Sequence, residues 1–179
     1  MGVSLDGRIA GPQDEGDWTV PDAELHRFHN EQTRELGAHL LGRKLYEVMR
    51  YWDTPEATDP GQPEHEIEFA RLWRDLPKVV FTHTLKSVEG KARIAERDPG
   101  EELAVLREQS DRDLAVGGAG LAATFMKLDL IDEYRLFVSP VVLGGGTPFF
   151  AEVNRRIDLE LVETRTFGSR VVYLRYARR

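Results

Sequence analysis

Three short stretches of this chain combine residue types suited to holding an anion. The first is Val116-Gly117-Gly118-Ala119-Gly120-Leu121, an apolar run that ends in glycine and opens a helical pattern. Such a turn aims several backbone N–H groups and the positive end of a helix dipole at one spot, and glycine lets an anion come close to the backbone. A pyrophosphate would fit there. The same glycines would equally serve close packing of helix on sheet, and their spacing is neither the Rossmann fingerprint nor a Walker P-loop. The second stretch, Gly42-Arg43-Lys44-Leu45, places two cations in the first turn of a helix, where the dipole disfavours positive charge. They call for an anionic partner, either a ligand or an acid nearby on the chain. The third, Phe81-Thr82-His83-Thr84, offers two hydroxyls and an imidazole, or simply an ordinary strand-to-loop turn. Ligands of open α/β sheets bind outside the carboxyl ends of strands, so the three stretches together point to a dinucleotide carrying an extra phosphate.

Other reactive side chains are sparse. Asp22 and Glu24 stand near the start of the first helix as candidate proton donors, or as acids that favour the helix dipole. Asp6, within Ser4-Leu5-Asp6-Gly7, reads as a loop-fixing acceptor more than a proton-transfer group. His26 and His29 could share a helix face as metal ligands, but no clear third ligand or motif accompanies them, so they read as exposed histidines. The chain has no Gly-x-Ser-x-Gly elbow. It also has no cysteine, which excludes disulfides, thiolate metal sites and cysteine nucleophiles, so redox chemistry must use a borrowed cofactor.

Positioning these groups requires alternating strands and helices. A loop over Asp6 to Trp18 leads to a helix with Pro21 in its first turn and Leu25, Phe28 and Leu36 on one face. Ala38 to Leu41 reads as a buried strand, Arg43 to Arg50 as a helix, and Asp53 to Pro63 as a polar loop. Ile67, Leu72, Trp73 and Leu76 recur at helical spacing before the strand Lys78 to Thr82. Asp98 as N-cap, Pro99 at N1 and Glu101 at N3 announce another helix, which buries Leu103 and Leu106. Leu114 to Val116 is a strand, and Leu121, Phe125 and Leu128 mark the helix after it. Tyr134 to Val142 is a strand, and Leu159 to Thr166 pairs with Val171 to Tyr176 in a hairpin turning at Gly168-Ser169. The order predicts one α/β domain over residues 1–179, with a mostly parallel sheet, helices on both faces and an antiparallel C-terminal edge.

A length of 179 residues and 41% hydrophobic content suit a single buried core. The net charge of −7, with basic and acidic residues interspersed, argues against nucleic acid as a partner. No run approaches the roughly 20 apolar residues of a membrane span, and no secretory signal pattern opens the chain, so a soluble cytoplasmic protein is expected.

The motifs also resemble a known family. Ser4 to Pro12, Asp17-Trp18, Leu41 to Lys44, Val79 to Thr82, Val116 to Gly120, and Asp132-Glu133-Tyr134 through Val142 to Gly146 occur in the order and spacing of the dihydrofolate reductase-like family. Within it, the chain is most similar to the riboflavin-biosynthesis reductase branch. The resemblance covers nearly the whole chain and implies a three-layer dihydrofolate reductase-like fold and an NADPH-dependent reductase acting on a small molecule, a pterin- or aminopyrimidine-like heterocycle or a sugar derivative. It implies Ala10 and Trp18 near the nicotinamide, Gly42 to Leu45 with Thr82, His83 and Thr84 near the adenine ribose and its 2′-phosphate, and Gly117 to Leu121 around the pyrophosphate. A homodimer formed through the C-terminal strands is a further implication, and by comparison with the family the chain begins partway through the first strand. Three departures stand out. Leu45 replaces a phosphate-reaching threonine of dihydrofolate reductases, while Val116 and Gly16 replace the substrate-side glutamate and serine of riboflavin-type reductases, and Asp6 and Val116 stand as the candidate substrate-binding residues. A binding module without efficient catalysis is therefore the alternative reading.

Overall fold

The computed structural model describes residues 1–13, 17–150, 153 and 155–179. In chain order the elements are β1 (Gly2–Ser4), β2 (Arg8–Ala10), α1 (Ala23–Arg34), β3 (Leu36–Gly42), α2 (Arg43–Met49), α3 (Glu64–Asp75), β4 (Lys78–Phe81), β5 (Ala92–Ile94), α4 (Pro99–Gln109), β6 (Asp113–Gly117), α5 (Ala119–Lys127), β7 (Glu133–Ser139), β8 (Thr147–Pro148), β9 (Leu159–Thr166) and β10 (Val172–Arg178). By their contacts these residues form two units, His26–Ala122 on the one hand and Met1–Leu25 with Ala123–Arg179 on the other.

The first unit is built on a four-stranded sheet in the order β5-β4-β3-β6, parallel throughout. Its central strands are apolar on both faces, as a parallel sheet covered by helices requires, and Leu40, Leu41, Val79 and Val80 are fully buried. Leu41, Val80, Tyr46 and Trp73 form one cluster, edged by Leu45, Met49, Trp52 and Phe69. Helix α3 contributes Ala70 and Trp73 to this core. Helix α4 starts as its sequence predicts: Asp98 Oδ1 accepts the Glu101 N–H at 3.0 Å, Pro99 follows the cap, and Leu103 and Leu106 are buried. Buried beside them is Glu102, which takes two bonds from Arg93 and two from the N–H groups of Glu96 and Arg97.

The second unit has a sheet in the order β1-β7-β10-β9. β1 runs parallel to β7, and β10 is antiparallel to both β7 and β9, which makes the C-terminal hairpin the antiparallel edge expected from the sequence. Its turn runs through Phe167 and Val171, with Arg170 at φ +67°. Phe137 and Tyr173 face each other at 4.9 Å between ring centres and belong to this unit's core with Val3 and Phe167. A separate two-stranded ribbon joins β2 and β8.

Candidate functional site

Parallel register decides the geometry of the three strand-end stretches. Gly42 pairs with Phe81 across β3 and β4, and Leu41 pairs with Gly117 across β3 and β6. Neighbouring strands lie about 4.8 Å apart, so the carboxyl ends of β4, β3 and β6 stand side by side. Thr82-His83-Thr84, Gly42-Arg43-Lys44-Leu45 and Gly117 to Leu121 thus form one continuous rim.

Each glycine of the β6–α5 turn has its own physical reason. A Cβ on Gly117 would lie 2.5 Å from Leu45 Cδ2 and 2.9 Å from His39 Nε2, so this glycine is there for packing. Gly118 has φ +95°, a conformation that favours glycine, and a Cβ there would press on the Gly42 backbone at 3.4 Å. Gly120 is different. Its Cβ would meet nothing within 4 Å, its φ lies outside the left-handed range, and the residue is exposed. Neither packing nor strain asks for glycine at that position, whereas a ligand approaching the first turn of α5 would benefit from it. The first turn carries no acid to repel an anion.

The β3–α2 corner supplies charge. Gly42 is the extended N-cap of α2 and brings no side-chain cap. Arg43 and Lys44 are exposed, and Arg43 Nη1 sits 2.9 Å from both carboxylate oxygens of Glu47, one turn along the helix. Leu45 turns inward against Gly117 and Gly118, which explains a leucine at this position: it fills the space that those glycines leave. After β4, Thr82 Oγ1 accepts the N–H groups of Thr84 and Leu85 at 3.1 Å, which closes the turn and leaves His83 and Thr84 exposed on the rim. Val116 pairs with Leu40 inside the sheet.

Reading the sequence missed two participants. Beneath the rim, His39 packs edge-on to Trp73 with ring centres 6.1 Å apart, and burial, reinforced by the Lys78 charge, lowers its pKa to about 4. It is a neutral spacer under the glycine turn, with no local pattern to reveal it. Glu47 was legible in principle, because residues i and i+4 share a helix face.

The remaining candidates lie in the other unit. Asp6 Oδ1 accepts from Ser4 Oγ at 2.6 Å and from Leu143 N at 3.1 Å, and its Oδ2 accepts from Gly144 N at 2.9 Å. These bonds lower its pKa to about 2 and make it a permanent acceptor joining two loops, as the sequence suggested. Ala10 ends β2 opposite Thr147. Gly146, at φ +91°, has no room for a Cβ, which would fall 2.1 Å from the Ala10 carbonyl oxygen. Trp18 lies in a short 3-10 turn and is half-buried. Gly16 falls outside the described residues.

The two proton-donor candidates both have structural partners. Asp22 Oδ1 accepts the Leu25 N–H at 2.9 Å, capping α1. Glu24 accepts from Gly168 N at 3.0 Å and from Arg165 Nη2 at 3.1 Å, and these bonds lower its pKa. A carboxyl group that donates a proton near neutrality needs its pKa raised, so Glu24 is tuned in the opposite direction. His26, expected to be exposed, is instead buried: its Nδ1 meets Asn30 Oδ1 at 3.2 Å and its ring packs against His65, Trp52 and Phe69.

A model of the RibD C-terminal domain matches residues 1–173. The chain belongs to the RibD C-terminal domain family. It is 35% identical over 177 residues to the uncharacterized protein YyaP of Bacillus subtilis (strain 168), covering 98% of this chain and 91% of that protein. It is 30% identical over 186 residues to YwjB of the same strain, covering 99% and 95%. Among solved structures, a candidate riboflavin biosynthesis protein of Shewanella sp. PV-4 superposes with a TM-score of 0.78 at 22% identity, covering 100% of this chain and 96% of that one. The bifunctional deaminase and 5-amino-6-(5-phosphoribosylamino)uracil reductase of Thermotoga maritima gives 0.65 at 18%, and this RibD-type chain spans 55% of its length. At these identities the structural likeness establishes the fold, a dihydrofolate reductase-like α/β arrangement. Membership of the family places the chain among reductases.

Proposed function

We propose that this chain is an NADPH-dependent reductase whose first unit holds the phosphate end of the cofactor along the rim of β4, β3 and β6. One observation carries the reading: three strand ends with anion-binding groups are adjacent in register, and the one glycine of the β6–α5 turn that neither packing nor backbone strain requires, Gly120, is open to solvent. Donor chemistry fits the group. The first turn of α5 suits a pyrophosphate, and Arg43 with Lys44, at the end of the adjacent strand, suits a further phosphate. The cofactor, when bound, supplies the hydride. The protein's part is to bind, orient and exclude water.

The proposed substrate is a small heterocycle of the pterin or aminopyrimidine class, or a sugar-derived compound, reduced at a C=N or C=O carbon. Purified protein titrated with NADPH and NADH at fixed ionic strength tests the cofactor reading. Micromolar NADPH binding at least tenfold tighter than NADH supports it, and absence of binding to either refutes it.

A second reading, an NADP(H)-binding module without efficient catalysis, is favoured by the capping and bracing duties of Asp22 and Glu24 and by Val116 inside the sheet. NADPH turnover with a panel of pteridines and aminopyrimidines separates the two. We also propose a homodimer in the cytoplasm. Strand β9 is exposed along almost its whole length, with Leu161 and Val162 each 50% accessible, and no helix among the described residues is long and apolar enough to cross a membrane. Light scattering at micromolar concentration would return a monomer mass if the dimer is wrong.

A further inference from the structure

We propose that Glu47 sets the cofactor preference of this protein by acting as a built-in competitor for Arg43. The inference rests on the reading of Arg43 as the 2′-phosphate contact.

Arg43 is the first residue of α2 and Glu47 lies one turn further along it. Both carboxylate oxygens of Glu47 stand 2.9 Å from the same guanidinium nitrogen, Nη1. A helical turn rises about 5.4 Å, so this contact draws the guanidinium along α2, away from the strand ends at Gly42 and Gly118. To meet a phosphate on the rim, Arg43 must leave Glu47 or share its charge with it. The exchange is energetically accessible. Both side chains are roughly 40% exposed, at 42% and 39%, and exposed i, i+4 pairs of this kind are weak. A phosphate dianion offers stronger charge-assisted bonds than a solvated carboxylate. Glu47 therefore does not block NADPH but discounts it. The carboxylate also repels the 2′-phosphate directly, and NADH, lacking that phosphate, is indifferent to both effects.

Glu47→Gln keeps the shape and removes the charge. It should tighten NADPH binding about 2- to 5-fold, the range expected from releasing an exposed pair, and leave NADH within twofold. In Arg43→Ala the same Glu47→Gln change should give clearly less, because its effect passes largely through the arginine. All four proteins would be titrated with NADPH and NADH at one ionic strength, with thermal melts confirming equal folding. A fall in NADPH affinity in Glu47→Gln would mean that Glu47 orients Arg43, and no change would mean that the pair is idle. Either overturns the proposal while the cofactor reading stands, provided Arg43→Ala lowers the NADPH preference. If the unmodified protein binds neither nucleotide, both fall together.

Discussion

The two ends of the parallel sheet treat positive charge in opposite ways. At the amino end, Lys78 opens β4 and is 1% exposed. Its Nζ donates to the carbonyls of Trp73 and Leu76 and lies 4.6 Å over the Trp73 ring, and burial lowers its pKa. At the carboxyl end, Arg43 is exposed and bonded to one replaceable carboxylate. A buried cation whose donors are spent on the carbonyls ending α3 is part of the fold. An exposed cation with a weak local partner can take another. Residue type alone does not separate structural from binding charge; the number and exchangeability of its partners do.

Substitution at each end should therefore move different observables. The largest effect is expected from Arg43→Ala. It should erase about a 10- to 150-fold preference for NADPH over NADH while the unfolding midpoint stays put, and titration alongside thermal melts would show both. Lys78→Met should do the reverse, lowering stability by about 1–3 kcal/mol in denaturant unfolding because two buried carbonyls lose their donor, with the nucleotide ratio unchanged. If Lys78→Met instead altered the ratio, the contrast between the two ends would collapse.

Gly120→Ala is expected to separate function from stability at a single position. Alanine should raise helix stability by up to about 1 kcal/mol and weaken binding of both nucleotides about 2- to 12-fold, by blocking one close backbone contact. Tighter binding with the added methyl would remove the argument that this glycine serves a ligand.

A smaller effect concerns acid. The Arg93 guanidinium and the backbone donors around Glu102 lower its pKa to about 2. Its contribution is fully present above the unfolded value near 4.3 and is lost as pH falls from there towards about 2. Stability measured against pH should show that acid limb, and Glu102→Gln should flatten it.

Much of the fold was legible from local pattern. The Asp98 cap, the α3 periodicity and the C-terminal hairpin appear as expected, because caps and periods act within a few residues. Short elements were not. β5 has three residues and no distinguishing alternation, and β2 hides in a stretch that reads as loop; both exist because a neighbouring strand offers a partner. The strand expected to run from Tyr134 to Val142 stops at Ser139, since Pro140 has no N–H to continue a ladder.

For the candidate site, the sequence by itself determined which residue types stand at which strand ends: the glycines of residues 117–120, the cations at 43–44 and the hydroxyls at 82 and 84. These are choices about backbone freedom and charge made within a turn, where local chemistry suffices. Only the tertiary structure decided that the three ends are neighbours, that Gly117 yields space to Leu45 and His39 while Gly120 yields it to solvent, and that Glu24 accepts from Arg165 and Gly168. Those outcomes depend on strand order and on partners tens of residues away in the chain. A side chain's surroundings at that range are set by packing, which a local pattern does not record.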